Sequence, residues 1–247
     1  MAATPLCEAP LAALKKSLRD EFPDAKSSHL SEALAASLGF RTYASLQAAM
    51  TGPEEDRPFV LLNSEMLRKR LMQFGYPDDP EFEFELMNGV PGNGVVSTWC
   101  NHAWEIEYKT ERQRAWRNLM ICAVNAALDR RIFTLRPGDN RFEDEYRRGV
   151  PIDFTLPNGL PARASVADAG FDEVAVHAAV NPKGRHVDAM AGFDCGDAVA
   201  MTWLERRRGA WMQTSDTQFH CRRSLLSGLA ALDVTPAGYG DRGRVIM

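Results

Sequence analysis

Apolar residues recur through Glu111–Leu135 at Trp116, Leu119, Met120, Ala123, Val124, Ala127 and Leu128. This i, i+3, i+4, i+7 spacing marks one face of a long helix. Arg112, Arg114, Arg117, Asn118 and Asn125 lie off the stripe, on a face expected to meet solvent. Glu111 opens the first turn and Arg130 and Arg131 follow the last, as the helix dipole prefers. Ile132–Leu135 reads as a strand stopped by Pro137-Gly138. A striped helix of this length needs a sheet to lie on.

Upstream, the pattern predicts three short helices. Leu11–Glu21 turns Leu11, Leu14 and Leu18 to one side. His29–Leu38 is capped by Ser28, buries Leu30, Ala33, Leu34 and Leu38, and ends at Gly39. Tyr43–Met50 is capped by Thr42. The polar, breaker-rich run Gly52-Pro53-Glu54-Glu55-Asp56 then suggests a boundary between a helical module, 1–52, and a larger domain, 58–247. In that domain Phe59–Leu62 reads as a strand and Asn63 or Ser64 caps a helix to Phe74. Val95–Tyr108 alternates as a strand with one buried side. Ile152–Leu156 and Ala162–Val166 flank the turn signal Pro157-Asn158-Gly159-Leu160. Glu173–Val180, Val187–Phe193, Ala210–Thr214 and Phe219–Cys221 continue as strands. Asp197–Arg207 is expected to be a helix, with Val199, Met201, Trp203 and Leu204 apolar, and Ser224–Leu232 a final one. The fold class is therefore α+β: a small N-terminal helical module, then a mainly antiparallel sheet packed by helices.

Composition narrows the setting. Hydrophobic residues make up 45% and charged residues 25%, as in ordinary globular proteins. The five cysteines form no CxxC pair, and no secretory signal opens the chain, so a reducing cytoplasm with free thiols is expected. No apolar run is long enough to span a bilayer. The net charge of −4 is unevenly spread. Residues 51–110 carry eleven acidic and five basic side chains, whereas 111–150 carry nine basic and six acidic. The acidic block speaks against coating nucleic acid and for meeting a basic partner surface.

The densest part of that block is Asp78, Asp79, Glu81, Glu83 and Glu85, interleaved with Phe82 and Phe84. The carboxylates are candidates for the electrostatic part of a protein interface and the phenylalanines for its apolar anchors. Arg206-Arg207-Arg208 is a second candidate, for a phosphate or an acidic protein contact. Catalytic and metal patterns are missing. His220 and Cys221 are adjacent on a strand and so face opposite sides. Cys195, His220, Cys221 and His186 lack the paired spacing of a zinc site. Gly89–Gly94 lacks the Lys-Ser/Thr of a phosphate loop. No cofactor is implied.

Within Lys15–Met50, the residues Ser28, His29, Leu30, Ser31, Glu32, Ala33 and Leu34, then Leu38-Gly39-Phe40, Tyr43 and Leu46, form a recognisable pattern. It resembles the N-terminal helical module of glyoxalase-superfamily-like and uncharacterised proteins of plasmids and integrative conjugative elements. The resemblance implies a mobile-element setting, where accessory proteins act as regulators, nucleic-acid handlers or inhibitors of host defence, anti-CRISPR proteins among them. It does not carry glyoxalase chemistry, because the His and Glu ligands on paired βαβββ units cannot be placed in this sequence. The expected function is thus a non-enzymatic inhibitor that binds protein subunits of a host nucleoprotein complex, such as a CRISPR effector. One alternative is a DNA-binding regulator built on the N-terminal helices, although His29–Leu38 contains no Lys or Arg. Another is an enzyme whose site is assembled from scattered residues.

Overall fold

The computed structural model describes residues 2–54, 57–84, 96–97, 108–139, 141, 149–184, 187–190, 193–206, 210–213 and 219–241. The chain forms two compact units, Met1–Trp99 and Cys100–Met247. The breaker-rich run at 52–56 therefore lies inside the first unit.

In the first unit, β1 (Ala2–Pro5) sits between β2 (Phe59–Leu62) and β3 (Val96–Ser97), antiparallel to both. Four helices accompany this sheet: α1 (Glu8–Glu21), α2 (Ser27–Ser37), α3 (Tyr43–Ala49) and α4 (Ser64–Gln73). Each helix falls where apolar spacing predicts it, and α3 and α4 begin at predicted caps; Ser28, the expected cap of the second helix, instead lies inside α2, whose N-cap is Lys26 without a side-chain bond. Thr42 Oγ1 accepts from Ser45 N at 3.1 Å while Ser45 Oγ accepts from Thr42 N at 3.2 Å, a reciprocal capping box. Asn63 Oδ1 accepts from Met66 N at 3.0 Å and starts α4. The strand β1 has no predicted counterpart, because Ala-Ala-Thr-Pro offers no alternation to read.

The three N-terminal helices do not own a separate core. Leu11, Leu14, Leu18, Leu30, Leu34 and Leu46 pack in one cluster with Leu62, Leu67, Leu71, Phe82 and Phe84. Backbone bonds tie the same segments: Leu6 N donates to Pro58 O at 3.0 Å, and Asn63 N to Ser37 O at 2.9 Å. Each such leucine or phenylalanine contributes about 1.5–3 kcal/mol of burial.

In the second unit, an antiparallel sheet of six strands runs β10-β9-β6-β5-β4, with β11 also paired to β9. These strands are β4 (Val150–Thr155), β5 (Pro161–Gly170), β6 (Glu173–Val180), β9 (Ala198–Glu205), β10 (Trp211–Gln213) and β11 (Phe219–Cys221). A separate ribbon joins β7 (Val187–Met190) to β8 (Phe193–Gly196). The helix α5 (Glu111–Asp129) lies on the sheet, and α6 (Arg223–Ala230) packs on α5. The α+β class is thus observed, with helices at the N-terminus and a mainly antiparallel sheet.

Three elements depart from expectation. Val187–Phe193 is not one strand: β7 ends at Met190, which pairs with Phe193 at the start of β8. The helix expected over Asp197–Arg207 is not formed: Ala198–Glu205 make β9, central in the sheet and paired with β6, β10 and β11. Ala198, Val199, Ala200, Met201, Thr202 and Leu204 are all buried, so both faces of the strand are covered. A strand apolar on both faces loses its alternation and cannot be told from a buried helix by periodicity. Ile132–Leu135 is not a strand. Arg131 takes φ 56°, Arg131 N donates to Leu128 O at 2.9 Å, and Ile132 N to Ala127 O at 3.0 Å. This is a Schellman C-cap, with Arg where Gly is usual. The predicted strand Val95–Tyr108 lies outside the described residues except at Val96–Ser97 and Tyr108.

The polar side of α5 is not solvated throughout. Asn118 is 3% exposed, and its Nδ2 donates to Leu229 O, Ala230 O and Leu232 O at 3.0, 3.2 and 3.0 Å. One side chain thus satisfies carbonyls that α6 leaves open at its C-terminus. Asn125 Nδ2 donates to Thr235 O at 2.9 Å, while its Oδ1 accepts from Ala237 N at 3.1 Å and Tyr239 Oη at 2.9 Å. Arg117 pairs with Asp241 at 2.5 Å. The segment 223–241 therefore covers α5 on the side away from the sheet.

In denaturant melts, Leu119→Ala is expected to cost about 2–5 kcal/mol, for lost burial and a cavity. Asn118→Ala should cost about 1–3 kcal/mol, because it strands buried carbonyls, and Arg114→Ala under about 0.5 kcal/mol. Equal losses for Asn118→Ala and Arg114→Ala would remove Asn118 from the support of α6.

Candidate interaction surfaces

The acidic segment is a folded edge rather than a loose loop. After Gly75 (φ 88°) the chain turns back along α4. Arg68 Nη1 reaches Asp78 Oδ1 and Asp79 O, both at 3.4 Å, and Asp79 Oδ1 accepts from Glu81 N at 3.2 Å. Phe84 N donates to Ser64 Oγ at 3.2 Å, at the start of α4. Phe82 and Phe84 are 4% and 2% exposed, with ring centroids 5.2 Å apart; Phe22 lies 5.0 Å from Phe82. These rings complete the unit's own core and do not serve as anchors for a partner. Their burial turns Glu81 and Glu83 outward beside exposed Asp78, with Asp79 half-buried. Glu85 lies outside the described residues.

The arginine run also changes meaning. Arg206 is fully buried at the end of β9, so it is not available to a partner. Its Nη2 pairs with Asp172 Oδ1 at 2.8 Å, and its Nη1 donates to Thr134 O at 3.3 Å and Asp139 O at 2.5 Å. Arg206 N donates to Asp172 O at 3.1 Å, and Gly138 N donates to Asp172 Oδ1 at 2.6 Å. Burial draws the guanidinium below its ordinary value, and Asp172, Asp139 and Asp168 oppose that shift. The group ties the β5–β6 turn to the loop at 134–139. Arg207 and Arg208 lie outside the described residues.

The Cys122 and Cys221 thiols are poor nucleophiles. Cys221 faces away from His220: they stand opposite Ala198 and Val199 on β9, and His220 is exposed. Burial pushes the Cys221 thiol up to about 11; Arg112 opposes this and Asp197 adds to it. Cys122 lines a cleft of about 750 Å³ between the second half of α5 and the β4–β5 hairpin, with Ala126, Phe154, Pro161, Pro182 and Val234. Burial lifts its thiol to about 11 as well. A nucleophilic cysteine needs the opposite shift. At the cleft's charged rim, Asp153 pairs with Arg163 at 2.7 Å and Arg130 donates to Asp153 O. Among the described residues no group of three His, Cys, Asp or Glu could hold a metal ion, and no helix is long and apolar enough to cross a membrane. The side chains of His186 and Cys195 are not among those described.

Two measurements check these assignments. Asp172→Ala should cost about 3–5 kcal/mol in a denaturant melt, because it leaves a buried guanidinium without its carboxylate. A loss under about 0.5 kcal/mol, the surface value, would show Arg206 to be hydrated. Iodoacetamide should alkylate Cys122 and Cys221 far more slowly in the native protein than in the unfolded chain at neutral pH, with native rates rising toward pH 11. Native rates at or above the unfolded ones would restore a thiolate chemistry.

No family model, curated protein or solved structure matches this chain.

Proposed function

We propose that the protein is a non-enzymatic accessory protein that binds a basic protein surface on a host nucleoprotein complex and so inhibits it. The observation that carries this reading is the alternation at 81–84. Phe82 and Phe84 lock into the core, and Glu81 and Glu83 project together from a backbone that cannot rearrange cheaply. Residues 1–99 carry fourteen acidic and nine basic side chains, so the field around this edge is negative. Such a field raises the association rate with a basic partner and repels nucleic acid. RNA-guided effectors hold their guide in positively charged channels, which makes their subunits partners of the required chemistry. The mobile-element resemblance of Lys15–Met50 supplies the biological setting.

The test is the double variant Glu81→Lys with Glu83→Lys. Both carboxylates are exposed, so stability should change by no more than about 0.5 kcal/mol per site. Capture of effector subunits from a nuclease-treated host lysate should fall at least about tenfold at low salt. Protection of a targeted plasmid in a CRISPR-competent host should be lost with it. Undiminished protection by the variant would exclude this edge. Retardation of duplex DNA by the wild type, without protection, would favour a DNA-binding regulator instead.

A further inference from the structure

The β5–β6 hairpin closes through two residues, since Gly170 pairs with Glu173 across the turn. Phe171 and Asp172 form the loop, with φ of 53° and 65°. Gly170, before the loop, also takes φ 77° and follows a register shift at Asp168/Gly170; positive φ at both loop residues is what a type I′ turn requires, and Asn-Gly is its usual occupant. A bulky residue is disfavoured in this region. Phe171 gains nothing in return from packing, because it is 85% exposed. It is therefore a strained aromatic residue held out in solvent; such outliers persist when the surrounding structure over-determines them, and they cluster at binding and active sites.

The turn is also fixed in place. Asp172, the other loop residue, pairs at 2.8 Å with the fully buried Arg206 and accepts from Gly138 N at 2.6 Å. An aromatic side chain on a rigid tip loses little conformational freedom on binding. The hairpin between Ala167 and Val174 carries no basic residue; with Asp172 neutralised by Arg206, the charge it presents is that of Asp168, which is exposed, and of Glu173, half-buried. Arg206 lies beneath the tip, buried, and does not face outward. Phosphates would be repelled from this tip, which argues against stacking on a nucleobase.

We infer that Phe171 is a preorganised anchor that enters an apolar pocket with a basic rim on a partner protein. A buried aromatic of this kind carries about 150–250 Å² of contact and ranks among the side chains that dominate interface energetics. The site belongs to the second unit and does not rest on the reading of the acidic edge in the first.

The experiment places the photo-crosslinking residue p-benzoylphenylalanine at position 171 of the full-length chain, in cells of the source organism. The control carries it at Asn158, the exposed turn of the β4–β5 hairpin. Position 171 should crosslink to one protein species, at a peptide where apolar residues are flanked by Lys or Arg. Crosslinking no stronger than from position 158 overturns the proposal. So does crosslinking to nucleic acid, to an acidic peptide, or to a second copy of this chain. A melt of Phe171→Asn supplies the independent readout: its Tm should equal or exceed that of the wild type, because Asn suits the turn better. A lower Tm would show that the ring serves the fold, which also overturns the proposal.

Discussion

The second unit depends on burying both sides of α5. Its apolar stripe lies on the sheet, and its polar side is closed by the segment 223–241. Burying a polar face costs free energy unless each group finds a partner. Asn118, Asn125 and Arg117 meet that condition by taking backbone carbonyls, a backbone N–H, the Tyr239 hydroxyl and the Asp241 carboxylate. Tyr239 is fully buried in consequence, its one hydroxyl proton shared between Asn125 Oδ1 at 2.9 Å and Ile121 O at 3.3 Å. Without the segment, α5 would expose that face; without α5, the segment would have little to fold on.

Much of the architecture was legible because local signals and burial agree. Apolar spacing places α1 to α5 within a few residues, caps fix the starts of α3 and α4, and the turn residues at 157–160 place the β4–β5 hairpin. The failures share a physical cause. β9 is buried on both faces, so its hydrophobic run has no period to read. The Asn118 side chain is polar, and only its contacts with α6 reveal that it is interior. Arg206 heads a run of three arginines that reads as solvated, yet a carboxylate 34 residues upstream in sequence, at Asp172, makes its burial tolerable. Pairings over such separations leave no local trace.

The candidate surfaces were legible in a similar proportion. Alternation of Glu and Phe over 81–84 is visible in the sequence, but its direction is not. Once the phenylalanines are seen to join Phe22 and the leucines of α1 and α2, the same alternation says which charges are presented. The tight turn at Phe171-Asp172 gave a weaker cue: Gly170 and Asp172 are turn formers, but Phe171 between them is not, and no Asn-Gly marks the loop.

The order of strands in the first sheet bears on synthesis. β1 is the middle strand, yet both of its neighbours, β2 and β3, come far later in the chain. During translation the helices α1 to α3 emerge while the strand before them has nothing to pair with. Their leucines likewise wait for Leu62, Leu67, Leu71, Phe82 and Phe84. The unit thus closes on non-local contacts, which form slowly and leave apolar surface uncovered in the interval. A nascent chain stalled before residue 84 would present sticky helices and an unpaired strand edge, a natural client for a ribosome-associated chaperone.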